Sequence, residues 1–150
     1  MKPDDLAAWM REEHDRVHDL RDKLTAKTAT MPRVNVDEWL KEVRDRFEHL
    51  RAHLVQHMGL EEHDGYLNSV LELRPTLAPQ VDKLNHEHKE LRYIMDSIFR
   101  DLQQVGAGDN LLIMDVSWRI SQFLSYINHH EEHEQLLVTY AFTHEIGTKD

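Results

Sequence analysis

The sequence predicts an all-α fold, in which four helices form an antiparallel up-down-up-down bundle within a single domain over residues 1–150. Three observations favour this class. Apolar residues recur at helical spacing along most of the chain. The five Gly and four Pro stand mostly between these periodic segments, and no segment shows the alternation of a strand. Short connections between four helices favour antiparallel neighbours.

Breaks in the apolar pattern define the helices. Pro32 follows the first apolar stripe, and a glycine-rich turn at residues 106–109 follows the third. The second helix reaches a break near Gly65, after which a further helical turn extends to Leu73. Pro75 stops this region, because the residue before a proline disfavours helical geometry. The predicted helices span about 4–27, 35–64, 79–105 and 110–145.

Composition and charge exclude several classes of function. The formal net charge is −10 and no basic patch is present, so we expect no binding to nucleic acid or to a membrane. The absence of cysteine excludes disulfides, thiolate catalysis and iron–sulfur clusters. No apolar run approaches a membrane span, and the first residues lack the apolar segment of a signal peptide. We therefore expect a cytoplasmic protein.

The composition is unusual in its twelve histidines. Two of them begin a His-x-x-x-Glu step that continues the apolar face of its predicted helix: His57/Glu61 and His130/Glu134. On a helix, the two side chains of such a step lie one turn apart on the same face. Apolar residues stand three and seven positions before each histidine: Leu54 and Leu50, Ile127 and Phe123. Burial of charged groups is costly unless they are paired or bind metal. The two steps therefore predict two halves of one metal site.

A second repeat strengthens this interpretation. His14 and His88 each follow a Glu and lie beside an apolar stripe. The separation of His14 from His88 is 74 residues, and that of His57 from His130 is 73. The chain therefore contains two copies of a helical hairpin. A pseudo-twofold arrangement of these hairpins would bring four His and two Glu to the bundle centre.

Imidazole and carboxylate donors without thiolates suit iron, manganese or zinc. Carboxylates can also bridge two metal ions in the core of a helical bundle. The Glu-x-x-His steps of ferritin-like centres are absent, and so is the His-Glu-x-x-His motif of zinc proteases. No nucleophile or dedicated acid–base pair is recognisable, so hydrolytic chemistry is not indicated.

Four segments, in this order and helical phase, resemble the hemerythrin-like (HHE cation-binding) family: EHDRV at 13–17, HMGLEE at 57–62, EHKEL at 87–91 and HEEHE at 130–134. The resemblance covers essentially the whole chain and implies a hemerythrin-like four-helix bundle with a non-haem di-iron centre. It implies two Fe ions as the cofactor, with Zn or Mn as substitutes. By position, the implied terminal ligands are His14, His57, His88 and His130, and the implied bridging ligands are Glu61 and Glu134.

The sequence departs from the oxygen-carrying members of that family, which use five histidines and a His-x-x-x-His step on the third helix. Here Arg92 stands four residues after His88. The first helix instead carries His14-x-x-x-His18, and the pseudo-twofold relation makes His18 a candidate fifth histidine, although it is turned away from the apolar stripe. These departures bear on reversible oxygen carriage more than on iron binding.

The remaining polar residues are assigned supporting or surface roles. His53, His133 and Tyr126 are candidates to complete the coordination shell or to donate hydrogen bonds to it. Glu13 points toward the site from the first helix, and its equivalent Glu87 lies at the edge of the third stripe. Solvated positions or helix ends are expected for four further histidines, and solvated positions for two carboxylates: His49, His63, His86 and His144, and Glu62 and Glu131.

The resemblance implies binding, sensing or detoxification of dioxygen or peroxide as a small ligand, through two Fe(II) ions that each give one electron. A different class is iron storage or iron sensing, in which metal binding controls the stability of the helices. A third is a structural bundle that holds zinc or no metal. No effector domain is recognisable, so a signalling role would require a separate protein partner.

Overall fold

The computed structural model describes residues 3–63 and 66–147, and the regular structure within these ranges is entirely helical. The helices are α1 (Pro3–Thr28), α2 (Val36–His63), the short α3 (Tyr66–Leu73), a 3₁₀ turn (Pro75–Leu77), α4 (Ala78–Gln104) and α5 (Asn110–Gly147). α1 packs along α2, and α4 packs along α5. The two hairpins formed in this way meet where α2 contacts α4 and α1 contacts α5.

Polar side chains of α2 tie the ends of two other helices to the bundle. The indole N–H of Trp39 donates a hydrogen bond to the carbonyl oxygen of Lys27, at 2.9 Å, near the end of α1. The guanidinium of Arg44 donates to the carbonyl oxygens of Leu102 and Val105, at 2.7 and 2.5 Å. The last carbonyls of a helix lack partners within it and attract a cation, so Arg44 stabilises the end of α4.

Two apolar clusters fill the bundle. The larger one joins all four long helices and includes Phe47 and Phe123, whose ring centroids lie 6.2 Å apart. The smaller one joins both ends of the chain to α3 and includes Leu6, Tyr66 and Val81. Full burial of each large apolar side chain stabilises the fold by about 1.5–3 kcal/mol. The histidine-rich level lies between the two clusters, which fix the spacing of the helices on both sides of it.

The predicted all-α class and the four long helices are confirmed, with bounds that differ by a few residues. The further turn predicted up to Leu73 is a separate helix, α3, whose Tyr66, Leu67 and Val70 are buried. Its position against the bundle depends on contacts with α2 and α5 that the local sequence does not reveal. Among the described residues, no helix combines the length and apolar composition needed to cross a membrane.

Candidate metal centre

Six residues predicted as metal ligands meet at one level of the bundle and are buried: His14, His57, Glu61, His88, His130 and Glu134. The antiparallel arrangement brings them together. α1 and α4 supply one histidine each from their N-terminal halves, and α2 and α5 supply the His-x-x-x-Glu steps from their C-terminal halves. We call these six residues the His/Glu cluster.

The two carboxylates of the cluster each face both hairpins. Glu134 places Oε1 against His130 and 3.4 Å from His88 Nε2, and its Oε2 lies 3.5 Å from His14 Nε2. Glu61 places Oε1 against His57 Nε2 and Oε2 at 2.9 Å from His88 Nε2. Each carboxylate therefore turns one oxygen toward α1 and α2 and the other toward α4 and α5.

The cluster can hold a cation. Donor atoms of Glu61, His88, His130 and Glu134 all lie within 4.8 Å of one another, and a second group of His14, His57 and Glu134 meets the same limit. Despite these short contacts, several buried atoms of the cluster that could bind metal form no hydrogen bond within the described part of the chain: His14 Nε2, His57 Nε2, His130 Nε2, both oxygens of Glu61 and Glu134 Oε2. Unsatisfied buried polar atoms are costly, and a bound cation would satisfy these.

Glutamates hold two of the imidazoles from the opposite helix of each hairpin. His57 Nδ1–H donates to Glu13 Oε2 at 3.1 Å, and His130 Nδ1–H donates to Glu87 Oε1 at 2.8 Å. The Glu that precedes each single histidine thus orients the histidine of the other helix, and the two hairpins repeat this contact. With Nδ1 held in this way, Nε2 is the nitrogen turned toward the cluster, and it can bind a metal once its own proton is lost.

A third glutamate orients His88 across the hairpins. His88 Nδ1–H donates to Glu62 Oε1 at 3.0 Å, and Arg92 donates to both oxygens of Glu62, at 2.9 and 3.2 Å. Burial opposes ionisation of Glu62, but the hydrogen bonds from Arg92 and His88 hold its pKa below the usual value. The expectation that Glu62 is solvated was wrong. Arg92, which stands where the oxygen-carrying members of the family have a histidine, therefore has a structural role. Its guanidinium fixes the carboxylate of Glu62, which in turn supports His88.

Glu131 is a second correction. It was expected to be solvated, but only 7% of the residue is exposed. Its Oε2 accepts a hydrogen bond from His18 Nε2 at 2.9 Å. His18 itself is 44% exposed at its side chain and is not among the residues that meet in the His/Glu cluster. Its assignment as a direct ligand remains a prediction.

The other residues assigned to the coordination shell lie around its edge. His53 Nε2 is 3.2 Å from Glu13 Oε2, and His133 Nδ1 is 3.7 Å from Glu87 Oε2. Tyr126 is 48% exposed and lines a surface groove. Exposed positions are confirmed for His49, His63 and His86, whereas the side chain of His144 lies outside the described residues.

Two aromatic residues beside the cluster were not predicted from the sequence. Tyr66 of α3 is fully buried, and Trp9 stacks on His57 with ring centroids 5.5 Å apart. Burial and the charges of Glu134 and Glu61 raise the pKa of Tyr66 well above its usual value, so its hydroxyl stays protonated. Trp9 stands one helical turn before Glu13, so the sequence could have placed it near the cluster. Tyr66 could not have been placed there, because the local sequence does not show where α3 packs.

The charges of the cluster favour protonated imidazoles. Burial opposes the charge on His57 and His88, but close contact with the buried carboxylates and their negative charge outweighs it and raises the pKa values of the two histidines to about 9 and about 10. Despite burial, the same kinds of contact raise the pKa of His14 and His130. Burial also opposes ionisation of Glu134, yet the surrounding histidines hold its pKa well below the usual value.

A cavity of about 10 Å³ lies on the side of the cluster that faces the larger apolar cluster. His57, His130, Glu131 and Glu134 form its polar wall. The rest of the wall is apolar: Leu54, Met58, Leu91, Phe123 and Ile127. This volume is about that of one water-sized probe, so the cavity can accept only a very small molecule.

Metal binding should release protons. A ligating histidine must be neutral, whereas His57 and His88, with pKa values of about 9 and 10, are protonated at neutral pH. The raised pKa values of these two histidines stabilise the metal-free fold. This stabilisation is complete below the usual histidine pKa of 6.5, and it is lost as the pH rises through 9 and 10. Metal affinity should therefore rise with pH, by roughly a hundredfold per unit if two protons leave.

Calorimetric titration of Zn²⁺ into the metal-free protein, in buffers of different ionisation enthalpy, gives the number of protons released. We expect about two or more at pH 7. Binding without proton release, or an affinity that does not change between about pH 6 and pH 8, would contradict the charge state derived from the geometry.

Loss of a carboxylate common to both donor groups should remove the bound metal. Glu134 belongs to each group, so Glu134→Ala should lower the metal content per chain to near zero. The matched control is Glu132→Ala, because Glu132 is exposed on the same helix two residues away and should leave the content unchanged. Elemental analysis of the purified variants makes the measurement. Full metal content in Glu134→Ala would show that this carboxylate does not hold the metal.

Comparison with known proteins agrees with this geometry. Residues 5–141 match the family model described as the hemerythrin HHE cation-binding domain. No curated protein and no solved structure matched the chain. The match covers most of the chain and includes all six residues of the His/Glu cluster. The chain therefore belongs to the hemerythrin HHE cation-binding domain family.

Proposed function

We propose that the protein is a non-haem di-iron protein that binds or reacts with dioxygen or peroxide. The orientation of the two buried carboxylates carries this proposal. Glu61 turns one oxygen toward His57 and the other toward His88, and Glu134 likewise faces both hairpins. A carboxylate that faces two sets of ligands can bridge two metal ions. The four histidines of the cluster would be the terminal ligands.

Iron is proposed from the donor set and from the family resemblance. Imidazole nitrogen and carboxylate oxygen suit iron, and zinc or manganese would fit the same donors. When bound, two iron(II) ions would supply two electrons to dioxygen or peroxide. The chain itself contributes a fixed donor geometry, because Glu13, Glu62 and Glu87 each hold one imidazole with Nε2 turned toward the centre.

The size of the cavity favours a diatomic or similarly small ligand. The cavity beside the cluster measures about 10 Å³, and five apolar side chains complete its wall. These side chains exclude bulk water, which would otherwise compete for an open coordination position. A larger groove of about 630 Å³ lies between the start of α4 and the end of α5, but no residue of the His/Glu cluster lines it. The large groove therefore gives no direct access to the proposed metal ligands.

Iron sensing is a second candidate, and one observation favours it. All four long helices contribute to the cluster, and six of its buried polar atoms have no hydrogen-bond partner in the described residues. Bound metal would satisfy these atoms, so metal binding and folding should be strongly coupled. A protein with this coupling can report iron through the stability of its helices.

Optical spectroscopy under controlled oxygen separates these functions. The protein is loaded anaerobically with iron(II), and its ultraviolet and visible spectrum is recorded before and after exposure to oxygen and after renewed reduction. Oxygen chemistry predicts absorption bands that appear with oxygen and bleach on reduction. Large unfolding on chelation, with no optical response to oxygen, would instead support iron sensing. A colourless protein that takes up no iron would rule out both functions.

Filling the cavity should impair small-ligand binding without loss of metal. We expect Leu54→Phe to weaken the binding of azide, a small anionic probe of the oxidised iron-loaded protein, by about tenfold or more, while iron content stays unchanged. Over-packing costs about 1–3 kcal/mol, so the variant should remain folded. Leu102→Phe is the control, because Leu102 is fully buried in the same apolar cluster but does not line the cavity. Equal azide affinity in both variants would place the ligand elsewhere.

A further inference from the structure

Glu131 is a buried acidic residue that the His/Glu cluster does not use. Seven polar or charged residues of the described chain are buried, and six of them form the cluster. The seventh, Glu131, lies one residue after His130 and three residues before Glu134 on α5. Charged side chains are rarely buried without a specific partner, so its position requires an explanation.

The two oxygens of Glu131 have different surroundings. Oε2 accepts the hydrogen bond from His18 Nε2 at 2.9 Å. Oε1 is buried and has no hydrogen-bond partner among the described residues. The side chain lines the same small cavity as His57 and Glu134, and its charge acts on His14. An orphaned carboxylate oxygen at this place is an available ligand for a cation.

The internal repeat shows that Glu131 breaks the symmetry of the site. The offset of 73 residues that relates His57 to His130 makes Met58 the equivalent of Glu131. Met58 is also buried and lines the same cavity. One half of the site thus carries a carboxylate where the other half carries a thioether.

The donor groups of the two halves also differ. One group contains four residues: Glu61, His88, His130 and Glu134. The other contains three: His14, His57 and Glu134. Glu131 is bonded to His18, one helical turn beyond His14 on α1, and its charge acts on His14. It therefore lies on the side of the group with fewer donors, outside the 4.8 Å limit that joins the three residues of that group.

We propose that Glu131 is a seventh protein ligand, which binds through Oε1 the cation held by His14 and His57. His18 then acts as a positioning residue, because its hydrogen bond to Oε2 directs the other oxygen into the cavity. This inference rests on the proposed dinuclear site. It makes the two metal positions unequal and leaves the open coordination position on the ion held by His88 and His130.

The test is a titration of the full-length metal-free protein and its variants with Co²⁺, followed by calorimetry and by the visible d–d bands of the bound ion. We expect the wild-type chain to bind two ions. Glu131→Gln should weaken one of the two binding steps by about tenfold or more and change the d–d spectrum of that ion only. Glu131→Met, which copies Met58 and makes the two halves alike, should have the same effect. His18→Gln should cause a smaller loss at the same step.

Several controls keep the outcomes distinct. Glu132→Gln, on the exposed side of the same turn, should match the wild type. Thermal melting of each metal-free variant identifies any that fail to fold. Two unchanged binding steps and unchanged spectra in both Glu131 variants would overturn the proposal while leaving the dinuclear site intact. A wild-type chain that binds no Co²⁺ would overturn both.

Discussion

Burial of two carboxylates among four imidazoles is the interaction on which the rest of the structure depends. Glu61 and Glu134 are fully buried at the bundle centre, where an isolated charge would be strongly disfavoured. Each contacts histidines from both hairpins, and three of these histidines, His57, His88 and His130, are held in turn by glutamates farther out. The helices must therefore keep one register relative to one another, and the two apolar clusters on either side of this level maintain it.

The internal repeat explains both the likeness and the difference of the two halves. The contact of Glu13 with His57 recurs as Glu87 with His130, so the hairpins build the same support for one imidazole each. The second layer is not repeated. His88 is held by Glu62, whereas Glu131 stands beside His14 and is held by His18. The contacts that hold His57 and His130 are the same in both hairpins, whereas the residues around His88 and His14 differ. This difference suits a centre at which only one ion has an open coordination position.

Most of the fold and the inner shell of the site could be predicted from the sequence, because both depend on helical periodicity. The phase of His57 and Glu61 relative to the apolar stripe follows from a spacing of 3.6 residues per turn. The flanking residues depend instead on which neighbouring helix covers them. Glu62 and Glu131 lie at the edges of their stripes, so the sequence favoured solvated positions, but α4 and α1 cover them. Tyr66 was missed because the docking of α3 is a tertiary contact without a local signal.

The most direct test of the central claim is an anomalous diffraction measurement on crystals of the iron-loaded protein at the iron absorption edge. If the His/Glu cluster is a dinuclear centre, two peaks should lie between Glu61 and Glu134, about 3.5–4 Å apart. One peak should adjoin His14 and His57, and the other should adjoin His88 and His130. A single peak on one hairpin, or peaks confined to surface histidines, would contradict the dinuclear centre and with it the proposed oxygen or peroxide chemistry.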